Sequence, residues 1–164
     1  MISLTHTNME QDGVKAVMSD NIKKLAEKHP LVFANMSEAA YSDLPDGWVD
    51  LVDELCSKLT PLLIESYANY PLNEEDYMIG ITIDQIKEKF GGLRFYCSFL
   101  TEDADLWGKA NTIISEYEDK SYSVCQVTGK PGTQCSAGRH VITLCEEERV
   151  RMKAITMKEA PFRF

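Results

Sequence analysis

Apolar residues first recur at helical spacing at Val14, Val17, Met18, Ile22 and Leu25, which predicts a helix over Val14 to Lys28. His29-Pro30 ends it, because the residue before a proline resists the α region. Leu44-Pro45-Asp46-Gly47 then reads as a turn. From Trp48 the period strengthens: Trp48, Leu51, Val52, Leu55, Leu59, Leu62 and Leu63 share one face of a long second helix. Pro61 is expected to bend that helix or to begin a new one. Tyr67, Tyr70 and Pro71 mark its end, ahead of an acidic loop.

The period then changes. Met78 to Ile83 alternates like a strand, and so does Leu93 to Phe99. Between them, Asp84 to Phe90 either continues the first strand or forms one helical turn capped at Asp84. Gly91-Gly92 is expected to supply the positive φ of a tight reversal. The product is an antiparallel hairpin with Leu93, Phe95, Cys97 and Phe99 against the long helix, and with Arg94 and Tyr96 on the other side. A third helix, from about Asp103 to Asp119, turns Leu106, Trp107, Ala110, Ile113, Ile114 and Tyr117 inward. The stretch from Cys125 to Cys145 is turn-rich, and Arg149 to Lys153 is expected to be a short basic helix. The tail carrying Phe162 and Phe164 is either frayed or tucked in by those two rings.

Long helices segregated from one small sheet predict an α+β fold, with amphipathic helices packed on a small antiparallel hairpin. A single domain is expected, mainly helical over 1–75, hairpin plus helix over 76–120, and a ribbon-like segment and tail over 121–164. At 164 residues the chain is long enough to bury most of its apolar surface in one core. With 44% hydrophobic and 26% charged residues it falls in the globular range. No run approaches the roughly 18 uncharged apolar residues of a membrane helix. Met1 to His6 shows no basic stretch leading into an apolar one, so a soluble, cytoplasmic protein is expected, with no membrane partner. Five cysteines make a poor disulfide framework and suit reduced thiols.

The net charge of −9 argues against coating nucleic acid or anionic lipid by bulk charge. It suits solubility, or an acidic face that meets a basic partner. Catalytic candidates are few. His6, His29 and His140 stand in no nucleophile or metal-hydrolase pattern, and His29 reads as a helix-end residue. Gly91-Gly92 lacks the spacing of a phosphate cradle. Cys56 and Cys97 fall on apolar faces and read as core, while Asp50, Asp53 and Glu54 read as a solvated helix face. No set supplies nucleophile, base and orienter, so an enzyme is not expected. Arg94 and Tyr96, with Lys87 and Lys89, make one strand face basic and aromatic, which suits single-stranded nucleic acid. The plainer expectation pairs Arg94 with Glu88 across the hairpin.

The string Ile86 to Tyr96 (IKEKFGGLRFY), the turn with Cys125, Gly129, Pro131 and Gly132, and the turn Thr143-Leu144-Cys145 together carry a resemblance. They resemble a group of small uncharacterised proteins from phages, prophages and bacterial accessory regions, with Gly47-Trp48 as a weaker echo upstream. The resemblance covers roughly the second half of the chain. In that group the hairpin precedes a helix and a zinc ribbon of pattern Cys-x-x-Cys-Gly-x-Pro-Gly…Thr-Leu-Cys-x-x-Cys. Cys125 and Cys145 match two ligands, whereas Thr128 and Glu148 stand where the other two belong. Two thiolates do not hold a structural zinc tightly. Either the site is rebuilt as Cys125, Cys135, His140 and Cys145, or the ribbon has lost its metal and relies on packing, with no cofactor. An oxidised Cys125–Cys145 pair is the third alternative, disfavoured in a cytosol.

Two functions follow from these readings. Small size, acidic charge, the lack of a catalytic set, the altered ribbon ligands and the resemblance to accessory-region proteins together lead to the expectation of a non-catalytic accessory protein that binds and inhibits a host protein such as a defence factor. The alternative is a zinc-ribbon nucleic-acid-binding module using Arg94, Tyr96, Lys130, Arg139 and the cluster Arg149, Arg151, Lys153. An interface, where aromatic and Arg side chains dominate, is expected at Arg94, Tyr96, Phe162 and Phe164.

Overall fold

The computed structural model describes residues 18–36, 42–69, 80–100 and 103–158, and its architecture is α+β. The start of the first expected helix, the acidic loop, the Met78-Ile79 end of the first strand, and Phe162 and Phe164 lie outside the described residues. Three helices form the first half: α1 (Asp20–Lys28), α2 (Pro30–Phe33) and α3 (Val49–Asn69), the last entered through a 3-10 turn at Asp46–Trp48. A two-residue strand β1 (Asn35–Met36) runs parallel to β2 (Ile81–Lys89), which pairs antiparallel with β3 (Gly92–Phe99). After α4 (Ala104–Ser121) comes a second sheet of β4 (Thr133–Ala137), β5 (His140–Leu144) and β6 (Ile155–Thr156), in the order β5-β4-β6. The short helix α5 (Glu146–Arg151) lies between β5 and β6. Among the described residues, no helix is long and apolar enough to cross a membrane.

The main core forms where the helical stripe meets the hairpin. Trp48, Val52, Leu55 and Leu59 from the helical half, and Ile81, Ile83, Ile86 and Leu93 from the hairpin, are all at most 1% exposed. Burying one such side chain contributes about 1.5–3 kcal/mol. Pro61 lies inside α3, so of the two alternatives expected there the new helix does not form. Pro61 sits on the exposed face, where the Ser57 carbonyl it leaves unbonded is open to water, while Leu59 and Leu63 stay buried on either side. Trp107 also departs from expectation. It is 49% exposed and meets the Phe99 ring edge-on, with centroids 6.4 Å apart.

β2 continues through Lys89, which settles the choice between strand and helical turn. Buried positions step by two from Ile81 to Ile83 and by three to Ile86, because the register shifts at Asp84. That shift is a β-bulge, and the Asp84 carboxylate it turns outward accepts a hydrogen bond from Ser98 Oγ at 2.9 Å. β3 lies against α4, and its outer edge is closed by that helix. Leu93 N–H donates to Ser121 Oγ and Phe95 N–H to Glu118 Oε1, each at 2.8 Å.

The second sheet has its own small core of Cys125, Cys135, Leu144, Cys145 and Ala154. A glycine contact docks it on the main body, and a second packs β3 on the end of α4. A Cβ at Gly47 would stand 2.1 Å from the Cys125 carbonyl oxygen, so only glycine permits the approach. The neighbouring Trp48 indole donates to the Val124 carbonyl at 2.9 Å, and Gly47 N–H donates to the Gln126 carbonyl at 2.8 Å. A Cβ at Gly92 would fall 2.4 Å from the Tyr122 ring. The three strings that carry the family resemblance therefore meet at one junction.

Candidate functional site

The hairpin turn displays an aromatic residue in an unusual backbone state. Lys89 pairs with Gly92, leaving Phe90-Gly91 as a two-residue loop. Their φ values are +52° and +81°. Positive φ at both positions is the signature of a type I′ turn, whose first position is normally Asn, Asp or Gly. The sequence reading assigned the positive φ to Gly91-Gly92; the register moves it one residue earlier, and Gly92 is instead required by Tyr122. A phenylalanine in the left-handed region costs about 1–2 kcal/mol. Here it is 66% exposed, so burial returns little of that cost.

Phe90 overhangs a cleft of about 630 Å³ between the hairpin tip and the second sheet. Val127, Val141 and Ile142 line its opposite wall, and Lys89, Arg139 and His140 give its rim basic groups. The one carboxylate in the lining among the described residues, Glu88, is turned to the turn itself, where its Oε1 accepts from Gly91 N–H at 2.6 Å. A second hollow of about 360 Å³ lies beyond Phe90, Arg139 and Val141, towards Gln134 and Met157. The wall is held rigidly: Thr143 Oγ1 donates to the Gly91 carbonyl at 2.6 Å, and Gln134 Nε2 donates to the Phe90 carbonyl at 3.2 Å. On a chain of net charge −9, this is a cationic, partly apolar concavity.

The residues expected to form an interface are divided by the structure. Arg94 does not pair with Glu88. It stands opposite Lys87, donates to the Tyr122 hydroxyl and to the Leu93 carbonyl at 2.8 Å each, and lies over the Tyr122 ring. It braces β3 against the end of α4. Tyr96 is 41% exposed with Lys87 over its ring, on the same hairpin as Phe90. Asp53, expected on a solvated face, instead binds Lys28 at 2.6 Å and the buried His29 at 2.5 Å. Those two contacts hold the Asp53 carboxyl below the ordinary carboxylate range. Cys56 and Cys97 are buried or half-buried, and burial pushes both thiols up to about 12.

The structure does not assemble Cys125, Cys135, His140 and Cys145 as a metal centre. Among the described residues, no three His, Cys, Asp or Glu side chains gather to hold a metal ion. His140 is exposed at the end of β5, paired with Ala137, whereas Cys135 pairs with Ile142. Cys135 is buried, and its Sγ donates to the Thr133 carbonyl at 3.4 Å. Cys125 and Cys145 do remain at the two knuckle turns. The Thr128 hydroxyl donates to Cys145 Sγ at 3.6 Å. Burial raises the Cys125 thiol, but Thr128 and the backbone N–H groups of Cys145, Thr128 and Val127 outweigh it and bring the thiol below its ordinary pKa. Glu148 turns away to Arg151, at 2.6 Å. The residues present therefore do not fit a four-thiolate zinc site; a hydroxyl and backbone amides satisfy the sulfurs instead.

No protein-family model matches the chain, and no solved structure matches it. A stretch of 92 residues, 56% of the chain, is 28% identical to part of the manganese resistance protein MNR2 of Saccharomyces cerevisiae. The chain spans 9% of that protein's length.

Proposed function

We propose that this chain is a non-catalytic accessory protein that binds a host protein, such as a defence factor, and inhibits it, with the cleft under Phe90 as its recognition surface. The observation that carries the reading is Phe90 itself: an exposed aromatic ring held at φ +52° where Asn or Gly would be more stable. Backbone strain spent on displaying a large side chain beside a concavity suits recognition, since interface energy concentrates in a few aromatic and basic anchors. The accessory-region setting comes from the family resemblance. Arg94, tied into the fold, is a support in this reading, and Tyr96 an outlying contact.

The test is a pull-down from nuclease-treated bacterial lysate with the full chain as bait, read by mass spectrometry. One stoichiometric protein, retained as salt is raised, is the expected result. Cargo that disappears with nuclease and follows a steep salt dependence would replace this reading with the nucleic-acid-binding alternative.

A further inference from the structure

Two edge strands of this protein, β3 and β5, differ in how their outward peptide groups are used. Along β3 the outward N–H groups of Leu93 and Phe95 are taken by Ser121 and Glu118. In the antiparallel β4–β5 ladder, alternate residues turn both peptide groups away from the partner strand. Thr143 is one of these, and its N–H and C=O are both occupied by Gln126, through the side-chain amide at 3.1 Å and the backbone N–H at 2.9 Å. Val141, two residues earlier, has the same orientation. No described residue occupies its N–H or C=O, and it lines the cleft under Phe90. β5 is the outer strand of its sheet, and among the described residues none bonds to this edge at Val141.

We infer that the cleft takes an extended, acidic segment of a partner protein, which adds to the edge of β5 by exchanging backbone hydrogen bonds with Val141. This deepens the protein-binding reading and rests on it. An open edge is a template for strand addition, in which main-chain bonds give affinity and flanking pockets read alternate side chains. The flanking chemistry selects the sequence. Lys89 and Arg139 stand on the rim with no carboxylate partner among the described residues, beside His140, while the Glu88 carboxylate is engaged by Gly91. Acidic side chains on the incoming strand would meet those cations. The residues between them, on the other face of the strand, would lie against Phe90 and Val127. This positive local field would repel basic segments but would attract nucleic acid as well as acidic peptides, so the backbone contact at Val141 is the discriminating feature.

The experiment selects binders from a displayed library of random peptides on the full-length protein and measures the winners by fluorescence anisotropy. The expected winners are proline-poor, alternate acidic with apolar residues, and lose at least tenfold in affinity on Val141→Pro and on Arg139→Glu. Proline is tolerated at an edge position whose N–H faces outward, so Val141→Pro keeps the fold, which circular dichroism checks. Val141→Thr, which retains the N–H, should bind as the parent does. Winners that bind Val141→Pro unchanged would overturn strand addition. Winners that are basic, or displacement by a single-stranded oligonucleotide, would overturn the acidic segment. If lysate capture succeeds but no peptide is selected, the partner is read through a folded surface and this inference falls alone. Failure of both assays removes the protein-binding reading as well.

Discussion

Thr143 donates its hydroxyl hydrogen to the Gly91 carbonyl oxygen at 2.6 Å, fully buried, and so fixes the hairpin turn to the edge strand of the second sheet. That bond sets the width of the cleft, because Phe90 precedes Gly91 and Val141 lies two residues before Thr143.

Replacing Thr143 with Val keeps the shape and leaves a buried carbonyl without its donor. A loss of about 1–3 kcal/mol in urea unfolding is expected. Partner capture should weaken in parallel, since the two walls of the cleft are no longer tied. Unchanged stability would mean that the junction is held by packing at Gly92 and Tyr122 alone.

Asp53 ties α3 to the α1–α2 corner through Lys28 and His29. Its folded pKa lies below the unfolded value of 3.8, so the contact stabilises fully above that value and is lost as pH falls through the depressed folded pKa. Asp53→Asn should cost about 1 kcal/mol at neutral pH and flatten the acid limb of the stability profile. The check is chemical denaturation of both proteins across the acid range. Parallel acid limbs would contradict this role.

The Thr128 hydroxyl beside the Cys145 sulfur, and Glu148 one helical turn after Cys145, stand at the two positions where the pattern of the resembled ribbon has cysteine. The double substitution Thr128→Cys, Glu148→Cys should restore a tetrahedral thiolate site. Zinc should then raise the unfolding temperature, and cobalt should give thiolate charge-transfer absorption, with neither effect in the parent chain. No metal response in the double variant would show that the two turns do not have ribbon geometry.

Much of the fold was legible in the chain. The α3 stripe from Trp48 to Leu63 and the Leu93-Phe95 face are where periodicity places them, because burial on one face leaves a regular signature. The bulge at Asp84 was also written there, as the change from a two-step to a three-step spacing between Ile81, Ile83 and Ile86. The two-residue strands β1 and β6 were not legible, since two residues cannot show alternation. Arg94 was misassigned because its partner, Tyr122, lies 28 residues away. The ligand spacing from Cys135 through His140 to Cys145 matched a metal pattern in one dimension, but among the described residues no three such side chains gather, with Cys135 buried and His140 exposed. Phe90 was missed as a site residue because it reads as the last residue of a strand. Its positive φ follows only from the pairing of Lys89 with Gly92.

The central claim is that Phe90 is kept in a strained turn for recognition, and Phe90→Asn separates recognition from folding. Asn is at home in the left-handed region, so the variant should gain about 1 kcal/mol in stability by denaturant unfolding. Its affinity for the captured partner should fall at least tenfold, as for loss of an aromatic anchor. A variant that is more stable and weaker in binding supports the account. One that binds its partner as tightly as the parent contradicts it.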